Sequence, residues 1–142
     1  MRHYLNRLLK NLRGSSMQLL LDTNVLLWAM SNDKRLARDT AKLILDPQNR
    51  VIVSAVSFWE VSVKKSLGKI SISLEDLKNN VEECQFDLLP ITAEHCIKLS
   101  DLPQLHRDPF DRMLVTQSKL EPAILLTGDS FLASYGDFVV VV

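Results

Sequence analysis

The sequence predicts a three-layer α/β/α protein built on a central, mainly parallel five-stranded sheet. Short apolar runs of strand length alternate with segments of helical periodicity from Met17 to the end of the chain. Such alternation implies right-handed crossovers that place helices on both faces of the sheet. The size agrees: 142 residues, 46% of them apolar, suit one domain that buries roughly 70% of the surface its unfolded chain exposes. Ordinary apolar content excludes low-complexity disorder, and no self-similarity of solenoid period is present.

The elements follow in order. Gln18–Leu21 is a buried-strand candidate, and a helix follows near Asn24–Met30. Ala41, Ile44 and Leu45 give Asp39–Leu45 helical spacing, closed by Pro47. Val51-Ile52-Val53 is the second strand, after which Ser57 is expected to open a helix that runs to about Leu67 and stops at Gly68. Ser73 caps a helix from Leu74 to about Cys84; Phe86–Leu89 is the third strand, and Thr92 opens a helix to about Leu99. Asp108-Pro109 starts another that reaches about Lys119, with an acceptor at the cap and proline at the first helical position. Ala123–Thr127, a short helix from Ser130, and Phe138–Val142 complete the alternation.

The 17 Lys and Arg residues balance 17 Asp and Glu, which argues against a protein that grips nucleic acid through bulk charge. The balance is uneven along the chain. Residues 1–16 carry Arg2, Arg7, Lys10 and Arg13 and no acid, so residues 17–142 hold 13 basic against 17 acidic groups, a formal −4. In the basic segment Leu5, Leu8, Leu9 and Leu12 fall on one helical face. Residues 1–16 are read as an extension joined through Gly14-Ser15-Ser16, with Met17 a candidate biological start and 17–142 the domain proper. Two cysteines, Cys84 and Cys96, do not make a disulfide framework and point to a reduced, cytoplasmic setting. The longest apolar run, Val25 to Met30, falls far short of the roughly 20 residues that span a bilayer, and no apolar stretch makes the basic N-terminus a secretory signal.

In open α/β sheets, ligands bind beyond the carboxyl ends of the strands where strand order reverses. Asp22 directly follows the first strand and Asp129 the fourth. With the common 3-2-1-4-5 strand order these two meet at one crevice. Glu60 and Asp111 are expected in the first turns of helices whose starts face the same crevice. At about 5 Å and an effective dielectric near 20, each carboxylate pair repels by roughly 3 kcal/mol. Protonation or bound cations relieve that cost, and an all-oxygen site suits Mg²⁺ or Mn²⁺. Such an ion with open positions activates water against a phosphodiester. Capping competes with this chemistry at every position. Ser57 with Glu60, and Asp108 with Asp111, have capping-box spacing, while Asp22 and Asp129 or Ser130 can each cap the helix that follows.

Four strings sharpen the choice: Leu20-Leu21-Asp22-Thr23-Asn24-Val25-Leu26-Leu27-Trp28; Ser54-x-x-Ser57-Phe58-Trp59-Glu60-Val61; His106-Arg107-Asp108-Pro109-Phe110-Asp111-Arg112-Met113-Leu114; and Leu125-Leu126-Thr127-Gly128-Asp129. In this order and spacing they resemble the PIN-domain nucleases, and within them the VapC-type toxins of toxin–antitoxin pairs. The resemblance spans Met17 to Val142. It implies a PIN-like fold and a divalent-metal-dependent endoribonuclease that uses Mg²⁺ or Mn²⁺, has RNA as substrate and a cognate antitoxin as partner, and commonly forms a homodimer. By the resemblance, Asp22, Glu60, Asp111 and Asp129 are the metal-binding and catalytic acids. Thr23 is the hydroxyl supporting the first acid, with Ser130 in a similar place beside the last and Ser57 and Asp108 in supporting positions.

Local positive charge offers phosphate contacts: Lys34, Arg35 and Arg38 after the first helix, Lys64, Lys65 and Lys69 on and after the helix of Glu60, and Arg107 and Arg112 around Asp111. Of these, Lys64, one helical turn beyond Glu60, and Arg112, next to Asp111, are the candidate RNA contacts. Trp28 and Trp59 are expected to pack in the core or an interface, and His106 is read as an ordinary loop histidine. The alternatives are a haloacid-dehalogenase-like phosphohydrolase, a receiver-like phospho-accepting module, and a non-catalytic PIN-like binding domain. The first needs a second acid where Asn24 stands, and the second needs neither Glu60 nor Asp111.

Overall fold

A computed structural model describes residues 16–142 of the chain. The basic segment, with its candidate amphipathic helix at residues 2–13, lies outside the described residues. Five strands, β1 (Gln18–Leu21), β2 (Arg50–Ser54), β3 (Asp87–Leu89), β4 (Ile124–Thr127) and β5 (Val139–Val141), form one sheet in the order β3-β2-β1-β4-β5. Every pairing is parallel. The expected reversal of strand order therefore falls between β1 and β4, with Leu21 opposite Leu126.

Side chains alternate across this sheet with the strand period of two. Leu19 and Leu21 of β1, Val51 and Val53 of β2, and Leu126 and Val140 face one core cluster. Leu20, Ile52, Leu125 and Val139 face the other. Burial on both faces explains why these strands read as unbroken apolar runs. Helices α1 (Thr23–Met30), α2 (Arg38–Leu45) and α4 (Leu74–Glu83) cover the first face through Val25, Leu26, Leu43, Ile44, Leu77 and Val81. On the second face lie α6 (Pro109–Leu120) and a 3-10 helix (Ser130–Tyr135), through Met113, Leu114, Leu132 and Tyr135. Helix α5 (Ala93–Leu99) packs against α6. Helix α3 (Ala55–Ser66) gives Val56 to the second cluster and Val61 to the first, so it links the two layers.

Local chemistry sets the boundaries. Asp108 caps α6 by accepting from the Phe110 and Asp111 amides, with Pro109 in the first turn. Thr92 caps α5 in a reciprocal capping box completed by His95, whose ring accepts from the Thr92 amide. Helix α3 departs from expectation. Ser54, not Ser57, is its cap, accepting from the Val56 amide, because β2 runs straight into the helix with no loop between. The two serines are three residues apart and look alike in sequence, but the earlier one meets the free amides first. Glu60 consequently sits in the second turn of α3, and Ser57 and Glu60 form no capping box. Gly68, at φ 72°, ends α3 as expected.

A second tie holds α6 against the end of β2. The Ser54 hydroxyl donates to Gln117 Oε1 at 2.5 Å, and Gln117 Nε2 lies 3.2 Å from His95 Nδ1. These side chains are buried. The register between the elements that carry Glu60 and Asp111 is thereby fixed by polar contacts as well as packing. Cys84 and Cys96 are both free. Among the described residues no helix is long and apolar enough to cross a membrane.

Candidate active site

Asp22 emerges where β1 ends and α1 begins, only 4% exposed. Its two oxygens have separate tasks. Oδ1 accepts from the Val25 amide at 2.8 Å and caps α1, while Oδ2 accepts from Thr127 Oγ1 at 2.5 Å and from the Gly128 amide at 3.3 Å. Burial pushes the Asp22 carboxyl up from its ordinary range; these hydrogen bonds oppose the rise, and the Glu60 charge adds to it. Thr127 also accepts from the Asp129 amide at 3.0 Å, so one hydroxyl at the end of β4 joins the first and fourth acids.

Glu60 is 5% exposed. Thr23 Oγ1 lies 2.8 Å from its Oε1 and 3.0 Å from Ser57 Oγ. Lys64, one turn further along α3, donates to Glu60 Oε2 at 2.5 Å. The Lys64 ammonium is raised above its ordinary value chiefly by that hydrogen bond, with help from the charges of Glu60, Asp108 and Asp111. Lys64 is thus a cation held among the acids.

Asp111 enters from the first turn of α6. The expected capping box is half made: Asp108 accepts from the Asp111 amide, but the Asp108 amide donates to His106 Nδ1 rather than to the Asp111 carboxylate. That leaves the Asp111 side chain free to face the crevice, where His106 Nε2 stands 3.9 Å from its Oδ2. Its carboxyl is pushed up to about 7, first by burial and then by the charges of Asp108, Asp22 and Glu60, against the opposing pull of His106. Asp129 caps the 3-10 helix through Oδ1, which accepts from the Phe131 amide at 2.9 Å, and its Oδ2 lies 3.0 Å from His106 Nε2.

The structure therefore brings Asp22, Glu60, Asp111 and Asp129 to one crevice at the carboxyl ends of β1 and β4. Of the supporting residues, Thr23 and Ser57 touch the Glu60 side and Asp108 borders Asp111. Ser130 is exposed, and the hydroxyl beside Asp129 belongs to Thr127. Arg112 lies elsewhere. It is buried, with its guanidinium donating to the carbonyls of Leu102 and Pro103 and to Tyr135 Oη, which commits it to holding the 102–106 loop rather than a phosphate. Trp28 packs on the first core cluster as expected. Trp59 does not join the core: it is 50% exposed and meets Phe110 edge to face at 4.7 Å.

Sequence reasoning missed Thr127 and His106. Thr127 carries a readable signal, a hydroxyl at the end of a strand whose neighbour ends in Asp22. His106 stands two residues before the cap of α6, and only the three-dimensional turn brings its ring to Asp129. Donor atoms of His106, Asp111 and Asp129 all lie within 4.8 Å of one another, a spacing suited to a metal ion.

Fold and site together define an α/β protein with an acidic crevice at the switch point of a parallel sheet. Residues 19–137 match the PIN domain. The chain belongs to the PIN domain family. Among solved structures it is similar to VapBC2 from Rickettsia felis bound to a promoter DNA fragment, at TM-score 0.64 and 15% identity over 89% of this chain and 98% of that one. It is also similar to VapBC-1 from nontypeable Haemophilus influenzae, at TM-score 0.60 and 18% identity over 84% and 92% of the two chains. A toxin–antitoxin complex from Klebsiella pneumoniae gives TM-score 0.57 and 22% identity over 87% and 96%. No curated protein matches the chain. PIN membership sets aside the haloacid-dehalogenase and receiver alternatives.

Proposed function

We propose that this chain is a Mg²⁺- or Mn²⁺-dependent endoribonuclease that acts in the cytoplasm as the toxin of a toxin–antitoxin pair. One observation carries the nuclease reading: four carboxylates from four separate elements crowd one crevice, two of them with their carboxyls raised. Such a set is held together at a cost in repulsion unless a cation joins it. The donors fit a hard divalent ion, since the four acids supply oxygen only. Asp22, Glu60, Asp111 and Asp129 are the residues that would hold it. A bound divalent ion supplies charge stabilisation at the phosphate and leaving oxygen and makes water a better nucleophile at neutral pH.

The chain's own residues orient and balance the site. Thr127 and the Gly128 amide fix Asp22 Oδ2; Thr23 and Lys64 fix the two oxygens of Glu60. Asp111 accepts no hydrogen bond from the described residues, so it is the acid free to take the proton that an attacking water loses. The water oxygen forms a new bond to phosphorus as the bond to the leaving oxygen breaks. Lys64 is the cation best placed to meet a phosphate at the crevice. The formal −4 of residues 17–142 predicts modest RNA affinity and a strong dependence on divalent ions, and a homodimer would supply a shared groove. The antitoxin partner is supported by the toxin–antitoxin complexes among the similar structures.

Purified protein incubated with structured RNA is expected to cleave it with Mg²⁺ or Mn²⁺ and not with EDTA. Asp22→Asn and Asp111→Asn are each expected to abolish cleavage while circular dichroism shows a folded protein. Cleavage that survives EDTA or both substitutions refutes the metal-nuclease reading; a folded wild-type protein that binds RNA without cutting it identifies a non-catalytic binding domain instead. Toxicity on expression, relieved by the product of a neighbouring small gene, tests the toxin assignment.

A further inference from the structure

His106 is held from several sides. Its amide donates to Tyr135 Oη at 3.0 Å, and Arg112 Nη1 reaches both its carbonyl, at 3.5 Å, and Tyr135 Oη, at 3.3 Å. Its ring accepts the Asp108 amide hydrogen at Nδ1, 3.0 Å away. A backbone N–H can only donate, so Nδ1 presents its lone pair and the ring proton sits on Nε2. That Nε2–H points at Asp129 Oδ2, 3.0 Å distant.

Asp129 needs the contact. It is the last of the four acids along the chain, its side chain is 34% exposed, and its other oxygen is already spent on the Phe131 amide. Without a donor at Oδ2, that oxygen is free to turn toward water. The same geometry settles what His106 is not. While Nδ1 accepts from Asp108, Nε2 has no lone pair to offer an ion, although the spacing of His106, Asp111 and Asp129 alone would suit one.

We propose that His106 is a positioning residue: its Nε2–H holds the Asp129 carboxylate toward Asp111, and the ring itself is not a metal ligand. The proposal rests on the metal-dependent reading above, and its experiment separates the two. The probe is Mn²⁺ alone, measured by calorimetry on the full chain. His106→Phe keeps a ring and removes the donor, and its Kd for Mn²⁺ is expected to rise about 10- to 100-fold. His106→Gln places an amide N–H three bonds from Cβ, as in the imidazole, and is expected to restore most of the affinity. If the Phe variant fails to fold, the Gln variant with His106→Ala as the donor-free comparison replaces it. In the metal-free protein, long-range ¹H–¹⁵N spectra are expected to show His106 as the Nε2–H tautomer. Electron spin-echo spectra of the Mn²⁺-loaded protein are expected to show no directly bound nitrogen.

An Nδ1–H tautomer, a bound-nitrogen signal lost in the Phe variant, or unchanged Mn²⁺ affinity in that variant overturns the proposal, and RNA cleavage by the wild type would still stand. Conversely, the expected Mn²⁺ pattern without RNA cleavage overturns the nuclease reading and keeps His106 in its place. A wild-type chain that binds no Mn²⁺ overturns both.

Discussion

Replacing Asp111 by Asn is expected to flatten the pH dependence of stability in the metal-free protein. The Asp111 carboxyl ionises near 7 in the folded chain, against an ordinary value of 3.8, mainly because it is desolvated and faces Asp108, Asp22 and Glu60. Between those two values the folded chain keeps a proton that the unfolded chain has lost. The slope of unfolding free energy with pH is then negative, so stability is greatest toward pH 4 and falls as pH rises through 7. The gap corresponds to at most about 4 kcal/mol. A fifth of the side-chain surface remains exposed, and solvent screening reduces the expected effect to about 2 kcal/mol. Asn cannot ionise and removes this component. Urea unfolding in EDTA from pH 4.5 to 8 measures it, with the variant expected to overtake the wild type at the alkaline end. Mn²⁺ added at pH 8 is expected to reverse the order, because it stabilises only a chain that binds it. Parallel pH profiles for the two proteins would refute the reasoning, since they would mean that the Asp111 carboxyl is solvated like any surface acid.

Two further substitutions probe the surroundings. A Cβ added at Gly128 would lie 2.6 Å from Trp28 Cη2 and 3.0 Å from Cζ3, so Gly128→Ala is expected to cost about 1–3 kcal/mol; an unchanged melting temperature would show that the indole moves aside freely. Lys64→Met strips the buried Glu60 of its cation, so the rise in melting temperature on adding Mn²⁺ is expected to be larger than in the wild type. An equal rise would show that Lys64 and the ion do not compete for the same charge.

Much of this fold is legible in the sequence because the strands are buried on both faces. Leu19-Leu20-Leu21 and Ile124-Leu125-Leu126 are unbroken apolar runs of the length that a strand buried on both faces needs, and Asp108-Pro109 and Thr92 announce helix starts by chemistry that acts within a few residues. Strand order is not written in the sequence; the structure has the common 3-2-1-4-5 order. What escapes the sequence is local degeneracy and distant contact. Ser54 and Ser57 offer equal capping chemistry, and only the absence of a loop after β2 decides between them. Arg112 reads as a surface cation because nothing in the sequence shows that the 102–106 loop folds over it, where carbonyl oxygens take the place of water. Trp59 reads as core or interface, and its position on α3 turns it out of the core to the rim beside Phe110. Thr127 and His106 act across 105 and 23 residues of sequence respectively, and no periodicity reports contacts of that kind.

Capping and site chemistry compete in the sequence, and in the structure they share the same carboxylates. Asp22 caps α1 with Oδ1 and turns Oδ2 to Thr127 and Gly128; Asp129 caps the 3-10 helix with Oδ1 and turns Oδ2 to His106. A carboxylate has two oxygens at a fixed angle, so tying one to a helix N-terminus narrows where the other can point, and a second donor, Thr127 for Asp22 and His106 for Asp129, fixes it. Cap and second donor together remove the rotational freedom that a surface acid would have to lose on binding an ion, at the cost of the oxygen given to the cap. Asp111 shows the complementary case. Asp108 takes over the cap of α6, and by doing so leaves Asp111 with both oxygens uncommitted and its charge poorly solvated. Three of the four crevice acids thus fall into two kinds, two that cap a helix and have their second oxygen held by a further donor and one left free to exchange a proton, while Glu60 is held by Thr23 and Lys64. That division of labour is fixed by which residue wins each helix start.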